Sequence, residues 1–382
     1  MKKTFSVIFI ACFFITAVFS EQMQFGTYGV MIDLPEGFQL TDSNWKDRYL
    51  FKSEILPCEL QVSFDAKKRF SNTLQAVNNI TAQLHASKKD AEFLWCEKQG
   101  RFSTIDFQLS EAYRGWVLVL ELPNGWLTIT AYSKKTDAAL CESMLISALD
   151  GVFTSQGSFY VPGPVTACLY PRTAPVKQTV TFDGSTLQFF ADRNDGDANK
   201  SVVDREFELL THYLRTNYAI TAWQRYYRCI FRDAWKRLQS FSFEVKNDLS
   251  GKKLLADKAA TVKKVLEFVQ NFTYVRDPDG ADFVDLVTAA SQRLGDCDTR
   301  SLLMNIILAQ LGIHSVTFIS PEFSHAICGV AVTGKGARLV SNRISYLVAE
   351  TTAHVAPGQI AADIADPSKW FAVELYGLPP LK

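Results

Sequence analysis

The chain has 382 residues, more than one hydrophobic core usually organises, so two globular units joined by a connector are expected. A 47% hydrophobic and 13% aromatic content excludes extensive disorder. Lys plus Arg and Asp plus Glu both number 40, which leaves no net field to attract nucleic acid or an anionic membrane surface.

Lys2 and Lys3 precede an apolar run from Phe5 to Phe19, and Val18 and Ser20 are small enough for the pockets of a signal peptidase. Residues 1–20 therefore read as a signal peptide cut after Ser20, and the mature chain as exported, periplasmic or extracellular. The alternative is an uncleaved anchor helix, although the run is short for a span. A lipoprotein site at Cys12 fits less well, because the apolar run continues past it. No later run is long enough to cross a bilayer. Seven cysteines then remain: Cys58, Cys96, Cys141, Cys168, Cys229, Cys297 and Cys328. An odd number leaves at least one free or paired between molecules. None is spaced C-x-x-C, so no structural zinc is expected; pairing among Cys58, Cys96 and Cys141 stays open.

Residues 21–153 read as an α+β unit. Tyr28 to Leu34 and Glu59 to Phe64 alternate like strands. Leu74, Val77, Ile80 and Leu84 predict a helix to His85. Gly115 to Leu122 and Trp126 to Tyr132 predict a hairpin turning at Pro123-Asn124-Gly125. Ala138 to Val152 predicts a closing helix. The opening "YGVMIDLPEGFQL", the hairpin and the last helix together resemble the PsbP/Mog1-like sandwich. That resemblance implies partner binding rather than chemistry.

Residues 154–200, punctuated by Gly157, Pro162, Gly163, Pro164, Pro171 and Pro175, predict a connector with some strand and a turn at Asn194-Asp195-Gly196-Asp197. Residues 201–241 predict helices. There Tyr213, Tyr218, Trp223, Tyr226, Tyr227, Phe231 and Trp235 interleave with Arg215, Arg225, Arg228, Arg232 and Arg237. This pattern fits either aromatics packed inward with arginines outward, or a cationic stacking surface for glycan or an anionic polymer.

Val262, Val265, Leu266 and Val269 define an amphipathic helix. Pro278-Asp279-Gly280 predicts a turn, and Phe283 to Arg293 a second short helix. Gly295-Asp296 breaks the chain before a largely apolar helix that starts at Cys297 and stops at Gly312. With Asp296 as N-cap, Cys297 lies in the first turn, where unpaired N–H groups and the helix dipole favour a thiolate and can bind an oxyanion. Asp296 and Asp298 oppose that ionisation, so a histidine is needed. His325 opens a strand after the turn Pro321-Glu322-Phe323. Glu350 ends the strand Ile344 to Ala349 and could fix the imidazole tautomer. His314 lacks such a context, and His354 is a reserve candidate. Cys328, within the His325 strand, reads as core.

The blocks "LGDCDTRSLLMNIILAQLGI", "SHAICGVAV" and "YLVAETT", preceded by "KAATVKKVLEFVQNFTYV", resemble the transglutaminase-like superfamily over residues 255–355. That resemblance implies a papain-like α+β domain within residues 201–382, with Cys297 as nucleophile, His325 as base and Glu350 as orienting acid. The family's third position is usually Asp, so Glu350 is one methylene longer. The implied chemistry is hydrolysis or acyl transfer on amides of a protein, peptide or cell-wall peptide, with no metal and no organic cofactor. The alternatives are a catalytically inactive scaffold or envelope-binding protein, and a cell-wall amidase that grips glycan through the 201–241 aromatics.

Overall fold

The computed structural model describes residues 22–276 and 281–375. The expected signal segment and the turn Pro278-Asp279-Gly280 lie outside them. The described chain is α+β.

It opens with β1 (Gln22–Phe25), β2 (Val30–Asp33), β3 (Phe38–Ser43), β4 (Arg48–Ser53), β5 (Cys58–Ala66) and α1 (Thr73–Gln83). There follow β6 (Ser87–Trp95), β7 (Lys98–Gln108), β8 (Ala112–Leu122), β9 (Gly125–Lys134), α2 (Ala138–Asp150) and β10 (Val152–Phe153). Strands β3 to β9 make a seven-stranded antiparallel sheet in the order β3-β4-β5-β9-β8-β7-β6. The centre of this sheet is buried on both faces. Leu118, Leu120, Leu127 and Ile129 pack with Met144 and Leu145 of α2. Val117, Val119 and Trp126 pack with Ala76 and Val77 of α1. That double cover is why β8 and β9 read as near-continuous apolar runs.

Strands β6 and β7 were not expected. Strand β6 is a polar edge strand, mostly exposed, with no apolar alternation to announce it. The closing helix stops at Asp150 instead of Val152. Val152 and Phe153 instead pair with β2, and the Asp33 amide donates to the Gly151 carbonyl at 2.9 Å.

Next come α3 (Pro164–Leu169), β11 (Pro175–Phe182), β12 (Ser185–Asp192), α4 (Asp195–Thr211), α5 (Ala219–Arg237), α6 (Gln239–Gly251) and α7 (Lys258–Gln270). The β11–β12 hairpin sets Phe182 against Phe268 and Phe189 against Phe241. The expected turn at Asn194–Asp197 is instead the start of α4. Asp195 and Asp197 sit in its first turn, where the dipole favours negative charge.

The inward–outward reading of residues 201–241 holds for the rings and for Arg215, which is exposed, and fails for three of the arginines. Tyr213, Tyr226, Tyr227 and Phe231 are buried, but so are Arg225, Arg232 and Arg237. Arg225 donates to Glu206 (2.8 Å), to the Ser147 hydroxyl (2.6 Å) and to the Asp33 carbonyl (3.0 Å). Arg232 donates to the carbonyls of Asp150 and Val152 and lies 4.0 Å over the Phe153 ring. Arg237 grips Asp233 with two nitrogens and Asp195 with a third contact of 2.7 Å. Helix α5 has protein on both sides, so it has no wet face for these side chains, and each is matched by a carboxylate or carbonyl. Trp223 and Trp235 are half-buried against Phe371 and against Phe231 and Tyr160. These rings do not form the open stacking surface that a glycan would need.

The chain ends with α8 (Leu286–Gln292), α9 (Cys297–Gln310), β13 (Ser315–Ser320), β14 (His325–Val330), β15 (Arg338–Ser341), β16 (Ile344–Ala349) and β17 (Phe371–Val373). The five strands form an antiparallel sheet in the order β15-β16-β14-β13-β17. Helix α9 lies on one face of it. Phe318, Ile327, Tyr346, Val348 and Trp370 fill a smaller core on the other. A continuous apolar cluster runs from α2 through α4 and α5 to α9. No described helix is long and apolar enough to cross a membrane. The seven cysteines among the described residues are free.

Candidate active site

The start of α9 is set by two residues. Asp296 is extended and its side chain accepts from the Thr299 amide at 2.9 Å, so Cys297 is the first helical residue. Gly295 has φ +149°, and a Cβ there would come within 2.5 Å of the Thr299 side chain, so the bend before the cap requires glycine.

The helix is then tied down by buried polar contacts. Arg300 donates to three carbonyls: Gly295 (2.9 Å), Phe272 (2.8 Å) and Thr351 (3.3 Å). Ser301 meets the Ala326 carbonyl and the Thr351 hydroxyl. Asn305 donates to Thr317 and accepts from the Cys328 thiol, which is buried as expected of core. These contacts fix the helix that Cys297 opens against the strands that carry His325 and Glu350.

The structure brings His325 and Glu350 together. His325 Nε2 lies 2.8 Å from Glu350 Oε2. The other carboxylate oxygen accepts from the Thr352 amide (2.8 Å) and hydroxyl (2.6 Å). Gln270 of α7 holds the Glu350 carbonyl at 2.8 Å. Burial pushes the Glu350 carboxyl up. The His325 hydrogen bond and charge and the Thr352 contacts outweigh it and hold the group below its ordinary value. The extra methylene of Glu relative to Asp is taken up without loss of the imidazole contact.

Cys297 is only 4% exposed. Its sulfur meets the amide of Ala326, the residue after His325, which places it beside the start of β14. The thiol points to its own neighbour: Sγ lies 3.7 Å from Asp298 Oδ2. Among the described residues no hydrogen bond joins the thiol to the imidazole, whose Nδ1 is the nitrogen not taken by Glu350. Burial, then the charges of Asp298 and Asp296, push the thiol well above its ordinary pKa. Burial and the charge of Asp298 push Asp296 up to about 7.

Trp370 stands beside the imidazole, ring centroids 6.2 Å apart, and Phe323 packs on Trp370 at 5.7 Å. Tyr274 is half-exposed under the Arg300 guanidinium on the other flank. His314 stacks on Tyr346, and His354 is exposed.

The donor atoms of Asp296, Cys297 and Asp298 lie within 4.8 Å of one another. Within it Asp296 Oδ1 accepts from the Thr299 amide, Asp298 Oδ1 from the Tyr227 hydroxyl, and Asp298 Oδ2 faces the thiol. Sequence reasoning missed Thr352, Arg300, Gln270 and Tyr227. Of these only Thr352, two residues after the acid, carried a local signal, since a Thr there can bond back to the carboxylate.

No protein-family model matches the chain, and no curated protein matches it. Among solved structures, the PsbP of the cyanobacterium Synechocystis sp. PCC 6803 aligns at 7% identity and TM-score 0.30, over 35% of this chain and 92% of that one. A protein from Bacteroides thetaiotaomicron aligns at 9% identity and TM-score 0.25, over 79% and 83% of the two chains. A candidate protease from Parabacteroides distasonis aligns at 11% identity and TM-score 0.22, over 80% and 69%. Superpositions this loose decide neither fold family nor chemistry.

Proposed function

We propose that the chain is an exported, transglutaminase-like cysteine hydrolase or acyltransferase that acts on amide bonds of a protein, peptide or cell-wall peptide. The N-terminal, PsbP-like unit serves as its partner-binding portion. The observation that carries this reading is the 2.8 Å contact of His325 with Glu350, next to a cysteine at a helix start whose sulfur meets the Ala326 amide. In this reading Glu350 orients the imidazole through Nε2 and leaves Nδ1 to face the thiol. The sulfur attacks the amide carbonyl, the amine leaves with a proton from His325, and water or a second amine resolves the thioester. The helix N-terminus and the Ala326 amide supply N–H groups for the developing oxyanion. No metal or organic cofactor enters.

A second reading, an inactive scaffold, is favoured by one feature: the thiol is buried and hydrogen-bonded to Asp298, not to the imidazole. Acylation separates the two. The mature chain is incubated at neutral pH with p-nitrophenyl acetate, or with a mixed peptide pool, and acid-quenched for peptide mass spectrometry. An acyl adduct on Cys297 that is strongly reduced in His325→Ala supports the enzyme. Equal, slow modification of every accessible thiol, with no dependence on His325, supports the scaffold.

A further inference from the structure

The groups that face the Cys297 thiol come from every element packed on it. Helix α9 and its cap supply Asp296, Asp298 and Arg300, and α5 supplies Tyr227, with Tyr226 near the two carboxylates. The segment after α7 supplies Tyr274. The pair His325 and Glu350 stands on β14, whose next residue is Ala326, and at the end of β16. Arg300, the cation of this set besides a protonated His325, spends its N–H groups on three carbonyls. No Lys or Arg pairs with Asp298 among the described residues. Its carboxylate is divided instead: Oδ1 accepts from the Tyr227 hydroxyl at 2.5 Å, and Oδ2 faces the thiol at 3.7 Å. Tyr227 is buried on α5, so a rigid neighbouring helix holds this carboxylate against the sulfur.

Taking Cys297 as the nucleophile of the proposed reaction, we infer that Asp298, oriented by Tyr227, is a positioning residue that holds Cys297 as a protonated thiol at rest. Attack then proceeds with general-base assistance and not from a preformed thiolate. The S–H bond breaks as His325 Nδ1 takes the proton, a sulfur lone pair forms the C–S bond, and the carbonyl π pair moves to oxygen. Asp298 remains a carboxylate throughout. What changes is the direction of the thiol hydrogen, from Oδ2 of Asp298 to Nδ1 of His325. Burial of the sulfur and the neighbouring carboxylates both favour the neutral thiol, in line with this resting state.

The test is the pH profile of Cys297 alkylation by iodoacetamide, read by peptide mass spectrometry on the full mature chain, with melting curves to confirm folding. The wild-type midpoint should lie above the ordinary cysteine value of about 8.5. Asp298→Asn should lower it by about one pH unit or more, a tenfold gain in thiolate at a given pH. Asp298→Glu, which keeps the charge, should stay close to wild type. A wild-type midpoint below about 8.5 overturns the inference without any variant. So does an Asp298→Asn midpoint equal to wild type. If acylation still depends on His325 while Asp298→Asn changes nothing, only this inference fails. If acylation does not depend on His325, the nucleophile reading itself fails.

Discussion

Helix α5 has buried polar groups on two of its faces, and the two faces treat charge differently. Toward α2 and β2 it presents Arg225 and Arg232; the first is paired with a carboxylate and the second is held by carbonyl oxygens. Arg225 sits against Glu206, Ser147 and a carbonyl, and Arg205 beside it bonds Asp150 at 2.8 Å and Glu206 at 2.9 Å. Toward α9 it presents Tyr227, which meets a carboxylate that no Lys or Arg neutralises among the described residues. A buried charge with matched partners locks neighbouring elements together, whereas a half-buried charge left unmatched, as Asp298 is, shifts the protonation of whatever lies beside it. The first arrangement is what joins two parts of a fold. The second is what a reactive centre uses, and here its neighbour is a cysteine at a helix start.

That contrast can be broken by substitution. The largest effect should come from Cys297→Ala, which should lower acyl transfer on the order of a thousandfold or more and leave the melting temperature nearly unchanged. Arg225→Ala should do the reverse. It removes one of the two guanidinium groups paired with the buried Glu206 and leaves a cavity where a fully buried side chain stood, and should cost about 3–5 kcal/mol of stability, seen as a lower midpoint in thermal or urea unfolding. If Arg225→Ala melts like wild type, the arginine seam is not what joins the two parts.

A smaller step sharpens the site itself. Glu350→Gln keeps a hydrogen-bonding group near His325 and removes the charge, and should reduce the acylation rate roughly a hundredfold without unfolding the chain.

The smallest effect concerns Asp296. Its carboxyl is raised to about 7, chiefly by burial and then by Asp298. An unfolded Asp ionises near about 4, so between about pH 4 and 7 the folded chain holds a proton that the unfolded chain has released. Stability from this group is therefore full below about 4 and falls as pH rises towards 7. Asp296→Asn keeps a capping acceptor and removes the titration. The variant should gain on wild type by on the order of 1 kcal/mol between pH 4 and 8, as differential melting across that range would record. A constant difference across pH would show that the carboxyl is not perturbed.

Much of the site's layout was legible before the structure. A capping Asp before a cysteine, a strand opening at His325 and a strand ending at Glu350 are local features, written in neighbouring residues. The α1 and α2 helices and the β8–β9 hairpin were legible for the same reason, since apolar period and turn chemistry announce them. Strand β6 was not, because an edge strand of Lys, Asp and Glu carries no alternating apolar signal. Nor was the burial of Arg225, Arg232 and Arg237. Charged residues at helical spacing usually mark a wet face, and only cover from both sides makes the opposite true. Arg300 and Gln270 were missed because their partners are carbonyl oxygens of distant residues, and a carbonyl is the same in every residue.

The sequence alone determined which residues start helices and strands around Cys297, His325 and Glu350, because caps, turns and apolar periods act over a few residues. Tertiary structure decided which way the chemistry points. It set the imidazole on Glu350, turned the thiol to Asp298 and drew Tyr227 from a helix some seventy residues earlier to hold that carboxylate. Local propensities can place a side chain on an element. Only packing can choose its neighbours, and the neighbours set its protonation.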